Sequence, residues 1–201
     1  MSLSCFELSL LNSLQPLLRY SILDQSMLII SHITDAGLIW VAVAAACLFA
    51  KKTRRLGLTL LAALLLSYYV SDHILKPLIQ RPRPFALNQS ALLPAAAPSS
   101  FSFPSTHACS SFAAATAIAL SNRKVGIFAY VFSALVGFSR IYLYLHYPSD
   151  IIAGAGLGIV CGWLAATILQ RFFPQSPYSP PTPSPPSKRN KARFSSPKCP
   201  K

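Results

Sequence analysis

The chain has 201 residues, of which 53% are hydrophobic and only 11% are charged. With a mean hydropathy of +0.46, it is too apolar for an ordinary soluble domain, in which charged residues make up about 25%. The composition therefore predicts an integral membrane protein. The net charge of +13 comes from short basic clusters between apolar stretches, so a nucleic-acid partner is not expected. The five cysteines show neither CxxC nor CxxH spacing, which argues against a zinc site or a disulfide framework.

The N-terminal stretch 3–18 is apolar with rough helical periodicity, but it contains Glu7 and Pro16 and lacks a basic region before it. Signal peptides begin with such a basic region, so a signal peptide is not expected here. We predict an amphipathic helix that lies in the membrane interface. An irregular sixth span is the alternative.

Five apolar stretches follow, and each approaches the roughly 20 residues that a helix needs to cross the hydrocarbon core. They cover residues 27–50, 56–75, 105–121, 125–145 and 149–170. The third is rich in Ala, Ser and Thr, and the fifth carries Gly154 and Gly158 four residues apart. Both patterns are typical of helices that pack closely against other helices. The predicted fold class is all-α: a polytopic membrane helix bundle with about five transmembrane helices plus the N-terminal interfacial helix.

The C-terminal segment 174–201 differs from the rest, because it holds nine of the 17 prolines and ends in a basic cluster. Such a segment cannot bury a core, so we predict a disordered tail after a membrane domain of residues 1–173. Its basic end would either contact anionic lipid headgroups or serve only to fix the topology.

The charges of the loops predict how the chain lies in the membrane. The basic loops 51–55 and 122–124 would share one side with the tail, and the positive-inside rule makes that side cytoplasmic. The loop 76–104 and the turn 146–149 then lie on the outer side. The sequence thus predicts a multi-pass protein of the cell (inner or plasma) membrane, with the outer side periplasmic or extracellular.

Three distant segments bring polar residues to that outer side. They read "KPLIQRPRP", "PSTH" and "SRIYLYLHYPSD". Their polar members are Lys76, Arg81, Arg83, Ser105, Thr106, His107, Ser139, Arg140, His146 and Asp150. Ionisable residues at membrane depth are costly to bury and usually functional, so this set is the candidate active site.

The residue types in this set favour binding of a phosphate. Lys76, Arg83 and Arg140 supply cationic donors, and guanidinium groups match phosphate oxygens. Ser105 follows a proline and lies where a helix is predicted to begin, and the N–H groups at a helix N-terminus bind anions well.

The histidines predict covalent catalysis. His146 has Asp150 four residues later, an arrangement in which a carboxylate orients a nucleophilic imidazole. His107 is then the candidate general acid for the leaving oxygen. Asp150 is the only acidic residue after Asp72, so a carboxylate-bound two-metal centre is not expected, and no cofactor is predicted.

Together the motifs resemble the three-part signature of the type 2 phosphatidic acid phosphatase (PAP2) superfamily, which includes membrane lipid phosphatases, glucose-6-phosphatase and vanadium haloperoxidases. The motifs are Lys76-x6-Arg83-Pro84, Pro104-Ser105-Thr106-His107 and Ser139-Arg140-x5-His146-x3-Asp150. The resemblance covers roughly residues 27–172 and implies a six-helix type of α fold with metal-independent hydrolysis through a phosphohistidine. It implies His146 as the nucleophile, Asp150 as its partner and His107 as the acid. It implies phosphate binding by Lys76, Arg83, Ser105, Thr106 and Arg140.

Two positions need separate interpretation. Thr106 stands where the family most often has glycine, but a helix start has ordinary backbone angles, so we expect activity to survive. Its N–H would face phosphate, or its side chain would tighten the pocket. The family spacing selects Arg83 rather than Arg81, and Arg81 is expected to contact a headgroup or a neighbour of the site.

Other polar residues near the outer boundary are expected to have structural roles. His32, Asp35, Asp72 and His73 are interpreted as hydrogen-bonding groups at the interface. Tyr142, Tyr144 and Tyr147 are interpreted as an aromatic belt.

The substrate prediction depends on a narrower resemblance. The small size, "RPRPF" and "HYPSDI" resemble bacterial undecaprenyl-diphosphate phosphatases within the superfamily, which implies undecaprenyl diphosphate from the outer leaflet as substrate. Phosphatidic acid and phosphatidylglycerophosphate are the alternatives. A lipid-phosphate-binding or transport protein is the alternative that is not an enzyme.

Overall fold

The computed structural model describes residues 3–18, 20–88 and 98–172, and within these ranges it contains helices and no strand. The α-helices are α1 (Leu3–Leu18), α2 (Ser21–Ile33), α3 (Leu38–Phe49), α4 (Arg54–Tyr68), α5 (Lys76–Ile79), α6 (Pro84–Leu87), α7 (Thr106–Ser121), α8 (Arg123–Tyr142) and α9 (Pro148–Phe172). A 3-10 turn at Asp35–Gly37 precedes α3, and a π-helical stretch at Tyr69–Leu75 joins α4 to α5. The all-α prediction is confirmed. The predicted tail 174–201 lies outside the described residues.

Several helices are long and apolar enough to cross a membrane. In the described part of the chain these are the continuous stretch Arg54–Leu87, α8 and α9. The predicted first span is instead two helices, α2 and α3, bent by 50°. Gly37 lies at the bend with a φ of +72°, a left-handed conformation that glycine adopts without steric cost. The bent pair counts as a fourth span, and α7 has only 16 residues, so five crossings stay a prediction.

The short helix α7 occupies the centre of the bundle, packed against α4, α8 and α9. Its alanines and serines are mostly buried, so neighbouring backbones approach it closely. A Cβ added to Gly154 of α9 would lie 2.6 Å from the carbonyl oxygen of Ser105, and one added to Gly158 would overlap the carbonyl oxygen of Cys109. The predicted close packing is confirmed. The amide of Ser105 also donates to the carbonyl of Asp150 at 3.1 Å, which ties the start of α7 to that of α9.

The apolar side chains divide between a core and an outer surface. Trp40 of α3 packs near Leu60 of α4 in a buried cluster that also includes α7 and α8, and its indole donates to Ser111 Oγ at 3.0 Å. Large apolar side chains elsewhere are exposed, including Phe128 of α8 and Ile152 of α9. Apolar groups on both sides of the helices are typical of a protein whose solvent is partly lipid.

The N-terminal helix α1 covers the loop between α8 and α9. Leu11 of α1 is buried with Tyr144 and Tyr147, and Tyr142 is 8% exposed. The predicted aromatic belt is therefore wrong, because these tyrosines point into the protein under α1 and α2. The predicted helix at 3–18 is present, and its position in the membrane interface stays a prediction.

Candidate active site

Three sequence motifs converge at one end of the bundle, which we call the site end. There the α2–α3 bend, the π-helical stretch and α5, the start of α7, the end of α8 and the loop after α8 surround a cavity of about 270 Å³. Six of the predicted site residues line it: Lys76, Arg83, Thr106, His107, Arg140 and His146. Ser105 and Asp150 are fully buried and lie beside the cavity without lining it.

His146 is held in one orientation in the loop between α8 and α9. Its side chain is 2% exposed, and its Nδ1 lies 3.6 Å from Asp150 Oδ2. Its Nε2 lies 3.1 Å from Arg83 Nη1. An arginine has donors only, so Nε2 must accept, and the proton of the neutral ring is assigned to Nδ1, facing Asp150. The lone pair of Nε2 is thus the one available toward the cavity.

The surroundings of His146 also set its charge. Burial lowers the pKa of His146 to about 3, helped by the positive charges of Arg83 and Arg140 and opposed by Asp150. The imidazole is therefore neutral near pH 7. A neutral imidazole carries the lone pair that a nucleophile needs.

The carboxylate of Asp150 accepts hydrogen bonds from three donors besides its contact with His146. Ser102 Oγ donates to its Oδ2 and Arg81 Nη1 to its Oδ1, each at 2.5 Å. The amide of Tyr147 donates to Oδ2 at 3.0 Å. Because these donors favour the charged form, Asp150 is a carboxylate that can orient His146 and stabilise positive charge on it.

Arg81 does not line the cavity. Of the two roles predicted for it, a contact with a headgroup or with a neighbour of the site, the structure favours the second. Its Nη2 donates to Glu7 of α1 at 2.7 Å, and its guanidinium lies 3.9 Å from the ring centroid of Tyr147. Glu7 also accepts from the amide of Ser149 at 2.8 Å. Arg81 is thus a neighbour of the site that links α1 to Asp150.

His107, in the first turn of α7, is paired with a carboxylate of its own. Its Nε2 lies 2.9 Å from Oδ1 of Asp35, whose Oδ2 lies 3.1 Å from Nδ1 of His32. Interpreting Asp35 as an interface group was wrong, since the α2–α3 bend carries it into the cavity lining. The sequence feature that could have indicated this position is the polar segment "DAG", which interrupts an apolar stretch. Two His–Asp pairs, at His107 and His146, thus belong to one site.

The Thr106 hydroxyl has a different role from those predicted. It donates to Asp72 Oδ2 at 2.6 Å and accepts from Lys76 Nζ at 2.8 Å. Lys76 Nζ also donates to Asp72 Oδ1 at 2.6 Å. Threonine therefore closes a three-membered network that positions Lys76, which glycine could not do.

Asp72 is the second residue whose interface interpretation was wrong, because it lines the cavity. It lies in the π-helical stretch, a rare conformation that is frequent at functional sites. Its spacing of four residues from Lys76 was the signal in the sequence, since residues four apart share a helix face. His73 remains exposed beside the rings of Tyr68 and Tyr69.

The two arginines of the cavity are anchored differently. Arg83 donates from Nε to the carbonyl of Ser100 at 2.7 Å and from Nη1 to that of Leu145 at 3.0 Å. Arg140 donates from Nη1 to Ser31 Oγ, while its buried Nε has no partner among the described residues. Buried donors are nearly always satisfied in folded proteins, and a bound anion would satisfy this one.

The two serines of the motifs are structural in this geometry. Ser105 caps α7 by accepting from the amide of Ala108 at 3.5 Å, as its predicted N-cap position implies. Ser139 is buried, donates to the carbonyl of Val136 at 2.7 Å and does not line the cavity. Within the described ranges, no group of three or more His, Cys, Asp or Glu side chains could hold a metal ion.

Comparison with known proteins identifies the family. The family profile described as the PAP2 superfamily matches residues 56–174, so the chain belongs to the PAP2 superfamily, as the three motifs predicted.

Individual relatives cover part of the chain. The undecaprenyl-diphosphatase of Sulfolobus acidocaldarius is 31% identical over 131 residues, which are 65% of this chain and 63% of that protein. The undecaprenyl-diphosphatase BcrC of Bacillus subtilis is 35% identical over 109 residues, 54% of this chain and 53% of that protein. The chain thus spans between about half and two thirds of the length of these relatives.

A solved structure shares the fold. The transmembrane PAP2-type phosphatidylglycerolphosphate phosphatase of Bacillus subtilis superposes with a TM-score of 0.68 at 24% identity, covering 86% of this chain and 88% of that chain. At this identity the likeness shows a common architecture.

Proposed function

We propose that this protein is a membrane lipid phosphatase that hydrolyses a lipid phosphate or diphosphate through a phosphohistidine on His146. One observation carries the proposal. The neutral imidazole of His146 lines the same cavity as three cationic side chains, Lys76, Arg83 and Arg140, and a second histidine, His107. A site that only bound an anion would gain nothing from a buried neutral nucleophile.

In the first step the substrate phosphate enters the cavity and its oxygens accept from the cationic side chains. Arg83 Nη1 turns from His146 Nε2 to a phosphate oxygen, which frees the lone pair of Nε2. Nε2 then forms the N–P bond while the P–O bond to the lipid breaks, and His107 donates its proton to the leaving oxygen. Asp150 stabilises the positive charge that develops on the imidazole.

The second step releases the phosphate. His107, now neutral, takes a proton from a water molecule as that water attacks phosphorus. The N–P bond breaks, inorganic phosphate forms, and His146 returns to its neutral state. Asp35, 2.9 Å from His107, supports the protonated form of His107 that exists before the first step and again after the second.

We propose undecaprenyl diphosphate as the substrate. Two relatives are named as undecaprenyl-diphosphatases, and the apolar helices around the site suit a long prenyl chain. Hydrolysis would release phosphate and leave undecaprenyl phosphate. A phosphatidylglycerolphosphate phosphatase shares the fold, so phosphatidylglycerophosphate and phosphatidic acid are the competing substrates.

We also propose that the site end faces the outer side of the membrane. This follows from the basic loops at the other end of the bundle and the positive-inside rule. Single cysteines placed at Thr53 and Ser99, in a chain without its native cysteines, test the orientation with a membrane-impermeant thiol reagent. Labelling of position 99 alone in intact cells is expected, and labelling of position 53 alone would reverse the assignment.

The activity is tested by release of inorganic phosphate from the three lipids by purified protein in EDTA. We expect release with the wild type, and a fall of about 10⁴-fold or more in the His146→Ala variant, because loss of a nucleophile removes the covalent route. His73→Ala is the matched control, since this histidine is at the same end of the bundle but does not line the cavity.

The outcomes separate the candidates. Release that is equal in wild type and His146→Ala would exclude the phosphohistidine route, and release abolished by EDTA would point to a metal. Binding of the lipids without release of phosphate would favour a binding or transport protein. The ratio of kcat/KM for the three lipids identifies the substrate.

A further inference from the structure

A second cavity lies at the other end of the bundle, which we call the opposite end. It has a volume of about 160 Å³, whereas roughly 10–15 Å³ of such space suffices for one water molecule. Its polar lining comes from Lys52 and Thr53 in the α3–α4 turn, Arg55 and Thr59 in α4, Ser121 at the end of α7 and Gln170 in α9. The cavity therefore gathers groups from four separate segments.

The cavity follows from the packing of small side chains. Ala117 of α7 and Ala166 of α9 are buried and line its floor. Because α7 ends at Ser121 while α9 continues to Phe172, a gap remains between the helix ends. The site is thus built by helices that pack on each other and is not a feature of one mobile loop.

The charges around this cavity have no counterpart within the chain. The whole sequence has five acidic residues. All of them make contacts at the site end: Glu7 with Arg81, Asp24 with Tyr142, Asp35 with His107, Asp72 with Lys76 and Asp150 with Arg81. Among the described residues, the half-buried Arg55 and the exposed Lys52 therefore have no acidic side chain with which to pair.

The neutral groups of the cavity differ in whether they already have a hydrogen-bond partner within the protein. Thr53 and Thr59 direct their hydroxyls to backbone carbonyls of Cys47 and Arg55. In the described part of the chain, the side chains of Ser121 and Gln170 make no hydrogen bond. Two cations and two hydrogen-bonding groups thus face a cavity without an internal partner.

We propose that this cavity binds the phosphate group of an anionic membrane lipid from the leaflet opposite to the one that supplies the substrate. Cationic pockets between helix ends suit such headgroups, and Arg55 and Lys52 would share the phosphodiester charge. Ser121 and Gln170 would bond to the headgroup hydroxyls. Leu56 and Leu120 also line the cavity and would contact the start of an acyl chain, which a free phosphate lacks. The proposal is independent of the catalytic one.

The test compares two double variants of the same basic turn. Lys52→Gln with Arg55→Gln removes two charges that line the cavity. Lys51→Gln with Arg54→Gln removes two charges that do not line it; Arg54 donates instead to the carbonyl of Leu48 at 3.2 Å. Both variants lose the same charge. Any change in the general attraction to an anionic surface, and any change in topology, is therefore expected to be the same in both.

The measurement is the thermal unfolding midpoint of purified protein in detergent, titrated with phosphatidylglycerol, with phosphatidylcholine and with inorganic phosphate. Phosphatidylglycerol is a phosphodiester without a terminal phosphate to release. We expect it to raise the midpoint of the wild type and of the Lys51/Arg54 variant. In the Lys52/Arg55 variant, the half-saturating concentration is expected to rise by at least about tenfold, since two charge-assisted contacts are lost.

Three results would overturn the proposal. An equal response of the two double variants would mean that the charges act only as a general basic surface. An equal effect of phosphatidylcholine would mean that the anionic charge is not recognised. If inorganic phosphate reproduced the shift, and the Lys52/Arg55 variant weakened its effect as it weakens that of phosphatidylglycerol, the ligand would be a soluble anion and not a lipid.

Discussion

The two ends of this bundle use the same cationic residue types in opposite ways. At the site end, Lys76 and Arg81 form ion pairs with acids, whereas the buried Arg83 and Arg140 donate to carbonyl and serine oxygens. At the opposite end most of the cations are exposed, and no acidic side chain of the described residues lies near them. These cations are Lys51, Lys52, Arg54, Arg55, Arg123, Lys124 and Arg171. Burial against fixed partners, rather than charge itself, therefore distinguishes the cations of the site end from those of the opposite end.

The difference has an energetic reason. Burying an unpaired charge costs several kcal/mol, so the buried cations of the site end need the acids and polar oxygens that surround them. Held in this way, the cations are already in place when phosphate arrives, and preorganised charge is a large source of catalysis. The exposed cations of the opposite end bear no such cost, so they need no partner within the protein.

The largest effect is expected where an acid of the site end serves the chemistry. Asp150→Asn keeps the shape of the side chain but removes the charge that orients His146, so kcat should fall by about 10³- to 10⁴-fold. Phosphate release under saturating lipid measures it. Asp24→Asn, which changes an acid at the same end that contacts Tyr142, should stay near the wild-type rate. A similar loss in both variants would mean that the acids act only on the fold.

A smaller effect is expected when an acid acts through another residue. Glu7→Gln weakens the Glu7–Arg81 ion pair and leaves Arg81 free to shift Asp150, so kcat should fall by about 10- to 100-fold with little change in KM. Steady-state kinetics separate the two constants. Glu7→Asp should recover part of the rate. A rise in KM alone would contradict a positioning role and indicate substrate contact.

The pH dependence of stability should show the dry environment of His146. Its pKa is about 3 in the folded protein and about 6.5 unfolded, so below pH 6.5 the unfolded state binds the extra proton. Stability should therefore fall as pH drops from 6.5 toward 3, by up to about 1.4 kcal/mol per pH unit. Free energies of unfolding in detergent, measured between pH 7.5 and 5, should show this slope in the wild type. His146→Gln should show a shallower slope by the contribution of this one group, and an unchanged slope in that variant would refute the assignment.

The Thr106 hydroxyl should have a modest effect on binding. Thr106→Val keeps the branched shape but removes the acceptor of Lys76, which is worth about 1 kcal/mol, so KM should rise by roughly five-fold. Thr106→Ser retains the hydroxyl and should behave as the wild type. Equal KM values for the valine and serine variants would show that the hydroxyl does not position Lys76.

The smallest effect is expected at the opposite end. Lys124 is exposed and remote from the catalytic cavity, so Lys124→Gln should change kcat/KM by less than about twofold. The same assay, run beside the Asp150 variant, shows how far the two ends differ. A large loss of activity here would mean that the two ends are coupled.

The motifs of the site were predictable because their residues are close in sequence. His146 and Asp150 are only four residues apart across the start of α9, and Ser105 follows a proline at a helix start, so short sequence separation keeps each motif together. Lys76 and Arg83 are seven residues apart with two prolines between them, so helix geometry did not predict their shared cavity. The spacing of the family motif predicted it.

The partners of these residues could not be placed from the sequence, because they come from distant segments. Asp35 contacts His107 across 72 positions, and Glu7 contacts Arg81 across 74. Only the bend at Gly37 and the packing of α1 bring them there. The aromatic belt was wrongly predicted for the same reason. The sequence does not distinguish a tyrosine covered by another helix from a tyrosine that faces a lipid headgroup.

The close contact of α9 with α7 has a consequence for protein engineering. The backbones touch at Gly154 and Gly158, and the same two helices carry His107 and Asp150 at their starts. The alignment of His107 with Asp150 is thus set by a contact between two main chains, with no adjustable side chain between them. Stabilising this protein without loss of activity therefore means leaving the glycine face untouched and working on the lipid-facing surfaces of α8 and α9, where added bulk moves neither motif.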